Sequence, residues 1–223
     1  MDIIYSYSHL GGEEILMVRF PKHDREILDV IAEIPNPGRN KASKEKTKVG
    51  KMLYSPKDLN RLFKEGFHER GWSEIRDYYD IELPEYPYVV KGAFKQCDFR
   101  KEKVSVEVQF GKYAFMFYDL AKFQYFFNQG ETSLGVEIVP GHFLQKQMSS
   151  GVSYGEQLVY DLERLSRDFP SVPVKIILVD MPVDTDDYFL EDRMDTRKAR
   201  EEVERNMDDW RRRLDETLPE RGD

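Results

Sequence analysis

Two acids and an amide lie close together near the middle of this chain. Asp98, Glu107 and Gln109 belong to the segment D-F-R-K-E-K-V-S-V-E-V-Q-F-G-K-Y, which runs from residue 98 to residue 113. From residue 104 to residue 110 apolar and polar residues alternate, which is the period of a β-strand. Glu107 and Gln109 are therefore predicted to lie on the polar face of one strand, while the apolar residues of the other face enter the core.

The chemistry expected of these three side chains is metal-assisted hydrolysis. The lysine-containing interval after Asp98 fits a short hairpin that returns this acid to the side of Glu107. Two carboxylates on the polar side of a buried sheet repel each other, and a divalent cation relieves the repulsion. Such a pair, with Mg²⁺ and a further polar side chain, is suited to phosphodiester hydrolysis. An ordinary antiparallel strand shows the same alternation, so the pattern by itself leaves both interpretations open.

The segments around this strand predict an α/β domain. Amphipathic or capped segments predict helices, and short apolar or alternating runs predict strands. Their order predicts a central mixed β-sheet flanked by helices on both faces. The predicted helices cover residues 13–19, 22–33, 56–70, 113–128 and 154–167, and the predicted strands cover residues 74–81, 89–94, 97–100, 103–110, 134–139 and 174–179.

The helix predicted at residues 113–128 is unusually rich in aromatic side chains, of which it contains eight. Aromatic residues on all sides of a helix imply burial on more than one side. The sheet would cover one side, and either the rest of the same fold or a second subunit would cover another.

The charge of the chain is concentrated at its C-terminal end. The formal net charge is −8 and the isoelectric point is about 5.2, which is unusual for a protein that neutralises phosphates. Residues 184–223 contain 15 acids and 9 bases, so residues 1–183 carry a net charge of only −2. We therefore predict one domain at residues 1–183 and an acidic, helical extension at residues 184–223, where apolar residues recur every three or four positions.

The composition excludes several classes of protein. The single cysteine, Cys97, cannot form an internal disulfide or a cysteine-based zinc site, which fits a reducing cytoplasm. The four histidines are scattered without metal-ligand spacing. No apolar run approaches the length of a membrane span, and the N-terminus lacks the pattern of a signal peptide. We therefore expect a cytoplasmic protein with no membrane partner.

A basic segment precedes the third predicted helix. Its lysines Lys41, Lys44, Lys46 and Lys48 stand with a single acid, Glu45. Such a cluster is suited to contact the phosphates of a nucleic acid. An exposed lysine-rich loop is the alternative interpretation.

The chain resembles the BglII/BstYI group of type II restriction endonucleases, most of all its BstYI-like members. Several separate blocks carry the resemblance, in one order, up to about residue 180. They read Y-S-H-L-G-G-E-E-I-L, S-K-E-K-T-K-V-G-K-M-L-Y-S-P, G-W-S-E-I-R, the segment that begins at Asp98, G-V-E-I-V-P and M-S-S-G-V-S-Y. The stretch after residue 184 shows no recognised counterpart in that group.

The resemblance implies a variant of the PD-(D/E)XK nuclease centre at Asp98, Glu107 and Gln109. It implies that Mg²⁺, for which Mn²⁺ is expected to substitute, is held by Asp98, Glu107 and the backbone carbonyl of Val108. Cys97 stands where the broad nuclease pattern has proline, and Gln109 stands where most such enzymes have lysine. The BglII-type group also carries this glutamine, so the second departure supports the narrower assignment.

The resemblance also implies a substrate and a set of DNA contacts. We expect a homodimer that cuts double-stranded DNA at a palindrome centred on GATC, such as RGATCY or AGATCT, and that leaves 5′ phosphates and staggered ends. A cognate DNA methyltransferase would protect the DNA of a prokaryotic host. The alternatives are a repair or recombination nuclease of the same fold and a DNA-binding protein without a metal site. Base contacts are expected from Ser149, Ser150, Ser153 and Lys112.

Overall fold

The computed structural model describes residues 1–46, 48–165 and 168–182, and within it Met1–Pro182 form one unit around a central β-sheet. Six strands form this sheet in the order β1-β8-β7-β6-β5-β4, and β2 and β3 form a separate two-stranded hairpin. The strands are β1 (Asp2–His9), β2 (Lys41–Ala42), β3 (Met52–Leu53), β4 (Ser73–Ile81), β5 (Val90–Lys101), β6 (Val104–Val108), β7 (Leu134–Pro140) and β8 (Val174–Asp180).

The three middle strands of the sheet are its buried part. β6 pairs with β7 and β7 pairs with β8 in parallel, whereas β1, β5 and β4 are joined to their neighbours antiparallel. Every residue of β6, β7 and β8 is buried. Parallel strands of this kind are covered on both faces, so even the polar residues of β6 lie away from solvent. A solvent-facing polar side of β6 is therefore not observed.

Helices cover both faces of the sheet, as predicted. One core cluster joins α1, α2 and α3 to the face of β6 that carries its valines. The second cluster joins α4 and α6 to the opposite face of the sheet. The helices are α1 (Gly12–Arg19), α2 (Pro21–Glu33), α3 (Pro56–Glu69), α4 (Tyr113–Asn128), α5 (His142–Lys146) and α6 (Gly155–Leu165).

Several features differ from the sequence prediction. The short elements β2, β3 and α5 were not predicted. The edge strand β1 was not predicted, because half of its residues are exposed and its pairing with β8 is what makes it a strand. The strands predicted at residues 89–94 and 97–100 are one continuous strand, β5. The predicted helical extension at residues 184–223 lies outside the described residues and stays a prediction. Among the described helices, none is long and apolar enough to span a membrane.

Candidate active site

A tight hairpin brings Asp98 to the end of β6. β5 and β6 pair antiparallel, from Lys101 with Val104 to Phe99 with Val106. Just beyond this pairing, the backbone N–H of Val108 donates a hydrogen bond to Oδ2 of Asp98, with a distance of 3.3 Å between the two atoms. The predicted return of the first acid toward the strand of the second acid is therefore observed.

A β-bulge lies at the first acid. The pairing of β4 with β5 shifts by one residue between Ser73 and Ile75. As a result, Asp98 and Phe99 of β5 together face the single residue Glu74. A bulge changes the direction of the side chains that it carries, and here it occurs where the strand presents its acid to β6.

Glu107 is an acid enclosed by other charges. Its side chain is 2% exposed, and Nζ of Lys122 lies 2.6 Å from its Oε1. Burial raises the pKa of Glu107 well above its ordinary value, and the negative charges of Asp98 and Asp119 raise it further, against the attraction of Lys122. The first acid therefore lies close enough to the second to change its proton affinity.

Lys122 joins this acid to a third one on helix α4. Its Nζ lies 2.8 Å from Oδ1 of Asp119, in addition to the contact with Glu107. Burial acts to lower the pKa of Lys122, but the charges of Glu107 and Asp119 outweigh it and raise that pKa. The side chain is thus a largely enclosed ammonium ion that contacts two acidic side chains.

Gln109 is held by the same helix. Its Nε2 donates a hydrogen bond of 2.7 Å to Oδ2 of Asp119. Burial raises the pKa of Asp119, while Lys122 and the bond from Gln109 lower it. On its other side Gln109 packs against Gly111, where a Cβ atom would come within 2.4 Å of Oε1 of the amide.

A fourth acid lies one strand away. Glu137 of β7 is the register partner of Glu107 in the parallel pairing of β6 with β7. It is fully buried, and neither of its carboxyl oxygens has a hydrogen-bond partner among the described residues. Burial raises the pKa of Glu137 well above its ordinary value, and the charges of Asp119 and Glu107 raise it further.

Sequence reasoning missed Asp119, Lys122 and Glu137. The first two are charged residues three positions apart in a helix that is otherwise mostly apolar and aromatic, so they lie on one face. Glu137 is the one acid in a seven-residue buried strand. In both cases the available signal was a charged residue within an apolar segment. Burying a charge without a partner costs free energy, so such a residue indicates an ion pair or a functional site.

The donor set at Asp98 and Glu107 fits a hard divalent cation. Carboxylate and backbone carbonyl oxygens are the ligands that Mg²⁺ takes, and Val108, which follows Glu107 and is hydrogen-bonded to Asp98 through its N–H, has such a carbonyl. Among the residues that the structure describes, no group of three or more His, Cys, Asp or Glu side chains is arranged as a metal site. Any cation here would thus depend on two side chains, the carbonyl and water.

The basic hairpin of β2 and β3 lies against the serine-containing loop, which consists of residues 148–154. Nζ of Lys41 donates to Oγ of Ser149 at 2.8 Å. Nζ of Lys48 donates to the backbone carbonyls of Lys146 and Met148, at 3.1 and 2.8 Å. The structure therefore brings together two sets of residues that were predicted separately as phosphate and base contacts.

The remaining predicted contact residues lie around this junction. The backbone N–H of Ser150 donates to the carboxylate of Glu45 at 3.0 and 3.2 Å. The backbone N–H of Ser153 donates to the carbonyl of Gly111 at 2.9 Å, which ties the loop to the segment that follows Gln109. The predicted contacts Lys44, Lys46 and Lys112 have exposed side chains.

Comparisons with known proteins agree with this fold. A family model described as restriction endonuclease BglII/BglIII matches residues 4–179. The fold is similar to that of restriction endonuclease BglII complexed with a DNA 16-mer, with a TM-score of 0.65 and 23% sequence identity over 83% of this chain and 81% of that chain. Free BglII gives a TM-score of 0.57 and 19% identity over 83% of this chain and 82% of that chain.

A search of curated protein sequences gave no match. At these identities the structural likeness establishes the fold, and the family assignment comes from the family model, which covers most of the sequence. The predicted resemblance to the BglII-type group is confirmed, and the nearer resemblance to its BstYI-like members stays a prediction. The chain belongs to the BglII/BglIII family of restriction endonucleases.

Proposed function

We propose that this restriction endonuclease is a type II enzyme whose catalytic residues are Asp98, Glu107 and Gln109. The proposed reaction is hydrolysis of phosphodiester bonds of double-stranded DNA at a short palindrome. One observation carries the assignment: Asp98 is hydrogen-bonded to the end of β6, beside the buried carboxyl group of Glu107. Two acids so close together, with an amide two residues further along, suit metal-assisted hydrolysis.

The proposed cofactor is Mg²⁺, with Mn²⁺ as a substitute, held by Asp98, Glu107 and the carbonyl of Val108. When bound, the cation supplies Lewis-acid stabilisation of the charge on the phosphate oxygens. Gln109 would orient the attacking water, because a neutral amide cannot accept a proton at neutral pH. The products proposed are staggered ends with 5′ phosphates.

The proposed DNA surface consists of the basic hairpin and the serine-containing loop. The similarity to BglII complexed with DNA supports a double-stranded substrate. Lysine ammonium groups contact phosphates, and serine hydroxyls donate or accept at base edges in the major groove. We assign a palindrome centred on GATC. The proposed phosphate contacts are Lys41, Lys44, Lys46 and Lys48, and the proposed base contacts are Ser149, Ser150, Ser153 and Lys112.

The proposed assembly is a homodimer, in which each copy cuts one strand of the palindrome. Exposed aromatic side chains on α4 support it, since Phe115, Tyr118 and Phe127 are 52%, 47% and 36% exposed. Sedimentation velocity at micromolar concentration tests this, and a monomer both with and without DNA would contradict it. We place the enzyme in a prokaryotic cytoplasm, where a cognate methyltransferase protects the host DNA.

Plasmid digestion tests the proposed activity. We expect discrete bands in Mg²⁺ or Mn²⁺, no cutting in EDTA, and GATC at every sequenced end. A smear or structure-specific nicks would indicate a repair-type nuclease. Binding without cutting under any divalent cation would indicate a DNA-binding protein. Discrete cuts at sites without GATC would contradict the assigned recognition sequence but would still support the proposed nuclease activity.

A further inference from the structure

We propose that Asp119 is a positioning residue of the nuclease centre, which fixes the orientation of the Gln109 amide and is itself anchored by Lys122. This inference rests on the proposed function, since it assigns a role to groups behind the proposed catalytic residues. It is carried by a continuous series of contacts that begins at Gln109 and ends at Glu107.

The two oxygens of Asp119 have different partners. Oδ2 accepts the hydrogen bond from Nε2 of Gln109 at 2.7 Å, and Oδ1 lies 2.8 Å from Nζ of Lys122. The same ammonium group lies 2.6 Å from Oε1 of Glu107. With both oxygens of Asp119 engaged and its side chain only 2% exposed, the carboxylate cannot rotate without losing a charge-assisted contact.

This arrangement determines which end of the amide is available for chemistry. A carboxylate that is paired with a lysine only accepts hydrogen bonds, so the NH₂ group of Gln109 must face Asp119. The carbonyl oxygen of Gln109 therefore faces away from Asp119 and is left to accept a hydrogen bond from a water molecule. If the amide were reversed, it would present N–H donors to that water and would repel Asp119.

The side-chain amide of Gln109 also packs against a glycine, Gly111. At Gly111 an added Cβ would lie 2.4 Å from Oε1 of Gln109 and 3.5 Å from its Cδ. Since the atom approached is the end of a flexible side chain, an alanine there would push the amide out of place while the backbone stays. Gly111 thus provides a way to displace Gln109 without altering Asp119 or Lys122.

The position of Lys122 explains why Asp119 can stay charged. Glu107 and Asp119 would otherwise be two buried acids with no cation between them. Lys122 lies one helical turn from Asp119 on α4, so the helix carries both members of the pair on one face, from which Lys122 contacts Glu107 of β6. The proposal therefore places a preorganised anchor on a rigid helix and not on a loop.

The main experiment is a double-mutant cycle on the cleavage rate. Single-turnover rate constants in saturating Mg²⁺ are measured for Asp119→Ala, Gln109→Ala and the double variant. Asp119→Ala is expected to lower the rate constant about 10–100-fold, as for loss of a group that orients a reacting side chain. In the Gln109→Ala background the same change should cost less than about 3-fold, because its partner is already absent. Effects that simply multiply would overturn the proposal.

Gly111→Ala gives a second test that leaves the charges in place. It should slow cleavage in the wild-type background, because its Cβ displaces the amide, and it should have little effect when Gln109→Ala is already present. An equal effect in both backgrounds would overturn the role given to the amide. This variant keeps the proposal testable even if Asp119→Ala fails to fold.

A spectroscopic readout separates this proposal from the proposed function. The side-chain amide of Gln109 is identified in a ¹H–¹⁵N spectrum by its loss in Gln109→Ala. Its signals should shift in Asp119→Ala and remain in place in Lys175→Met, which removes a buried lysine that also contacts two acids. Unmoved signals in Asp119→Ala would overturn the proposal. A wild-type protein that cuts no DNA would instead overturn the proposed function, whatever the spectrum shows.

Discussion

Among the described residues, two lysines, Lys122 and Lys175, each contact two carboxylates, and of these two only Lys122 lies at the candidate active site. Lys175 of β8 is 3.0 Å from Glu13 and 3.1 Å from Asp24. Lys122 of α4 makes closer contacts, at 2.6 and 2.8 Å, with its own two acids. By distance alone the two clusters would be given the same structural role.

Their surroundings differ. The partners of Lys175 keep 31% and 15% of their side-chain area exposed, so water screens their charge. The partners of Lys122 are 2% exposed, Asp98 raises the pKa of Glu107, and the charges of both partners raise the pKa of Glu137. Four carboxyl groups thus lie at this site, and Lys122 contacts two of them. In the cluster around Lys175, the lysine and water balance the charge of the two acids. At the candidate site the acids outnumber the lysine, and a divalent cation could bind to the additional carboxyl groups.

The largest expected difference between the two clusters is in catalysis. Glu107→Ala should slow cleavage in Mg²⁺ by at least about a thousandfold, equivalent to roughly 4 kcal/mol, because a carboxylate ligand of the cation is lost. Sequence-specific binding should survive. The enzyme with the matched change in the other cluster, Glu13→Ala, should cut DNA at close to the wild-type rate. Single-turnover assays measure both, and a Glu107→Ala enzyme that cuts normally would refute the site.

The lysines themselves provide the next comparison. Lys122→Met should lower the free energy of unfolding by about 3–5 kcal/mol at pH 8, since it leaves buried acids without their cation. Lys175→Met should cost less, because its partners can be rehydrated. Added Mg²⁺ should raise the melting temperature of Lys122→Met by more than that of wild type, and that of Lys175→Met by the same amount as wild type. Equal responses in both variants would remove the distinction drawn between the clusters.

Replacing Glu137 tests whether the candidate site holds more acids than its lysine can balance. Because burial raises its pKa above that of the unfolded chain, its contribution to stability is fully present below about pH 4.3 and is lost as the pH rises through the folded pKa. Glu137→Met should therefore be more stable than wild type by about 1–3 kcal/mol at pH 8, measured in EDTA. The difference should shrink as the pH falls toward 4.3. A difference that is independent of pH would show that packing, and not charge, is responsible.

The smallest effect concerns lysines that belong to neither cluster. Replacing Lys44 and Lys46 with Ala should weaken binding to cognate and random DNA alike, and should flatten the salt dependence by about one log–log unit per lost phosphate contact. The matched control replaces Lys22 and Lys64, exposed lysines of α2 and α3. Equal binding by both double variants at low salt would show that Lys44 and Lys46 are solvated lysines that do not contact DNA.

The sequence predicted the parts of this fold that have strong local patterns. Helix α4 has the predicted bounds, and the central strands β7 and β8 were found because their apolar runs are long. Strand β1 was not predicted, since its identity depends on pairing with β8, more than 160 residues away in the chain. Local periodicity carries no information about such a pairing.

The candidate site was predictable only in part for the same reason. Asp98, Glu107 and Gln109 are close in sequence, and a hairpin was enough to bring the two acids together. Lys122 and Glu137 reach Glu107 only because α4 lies across the sheet and because β6 and β7 have one particular register. No spacing rule within a segment could have placed them there.

The attachment of the basic hairpin to the serine-containing loop has a consequence for how specificity can evolve. Lys48 holds the loop through two backbone carbonyls, and Glu45 holds it through the backbone N–H of Ser150. These contacts are indifferent to the side chains that the loop carries. The side chains of Ser150 and Ser153, which we propose as base contacts, can therefore be exchanged while these backbone contacts hold the loop. On that proposal, new recognition sequences would become accessible by substitution at these positions, without a change in the support.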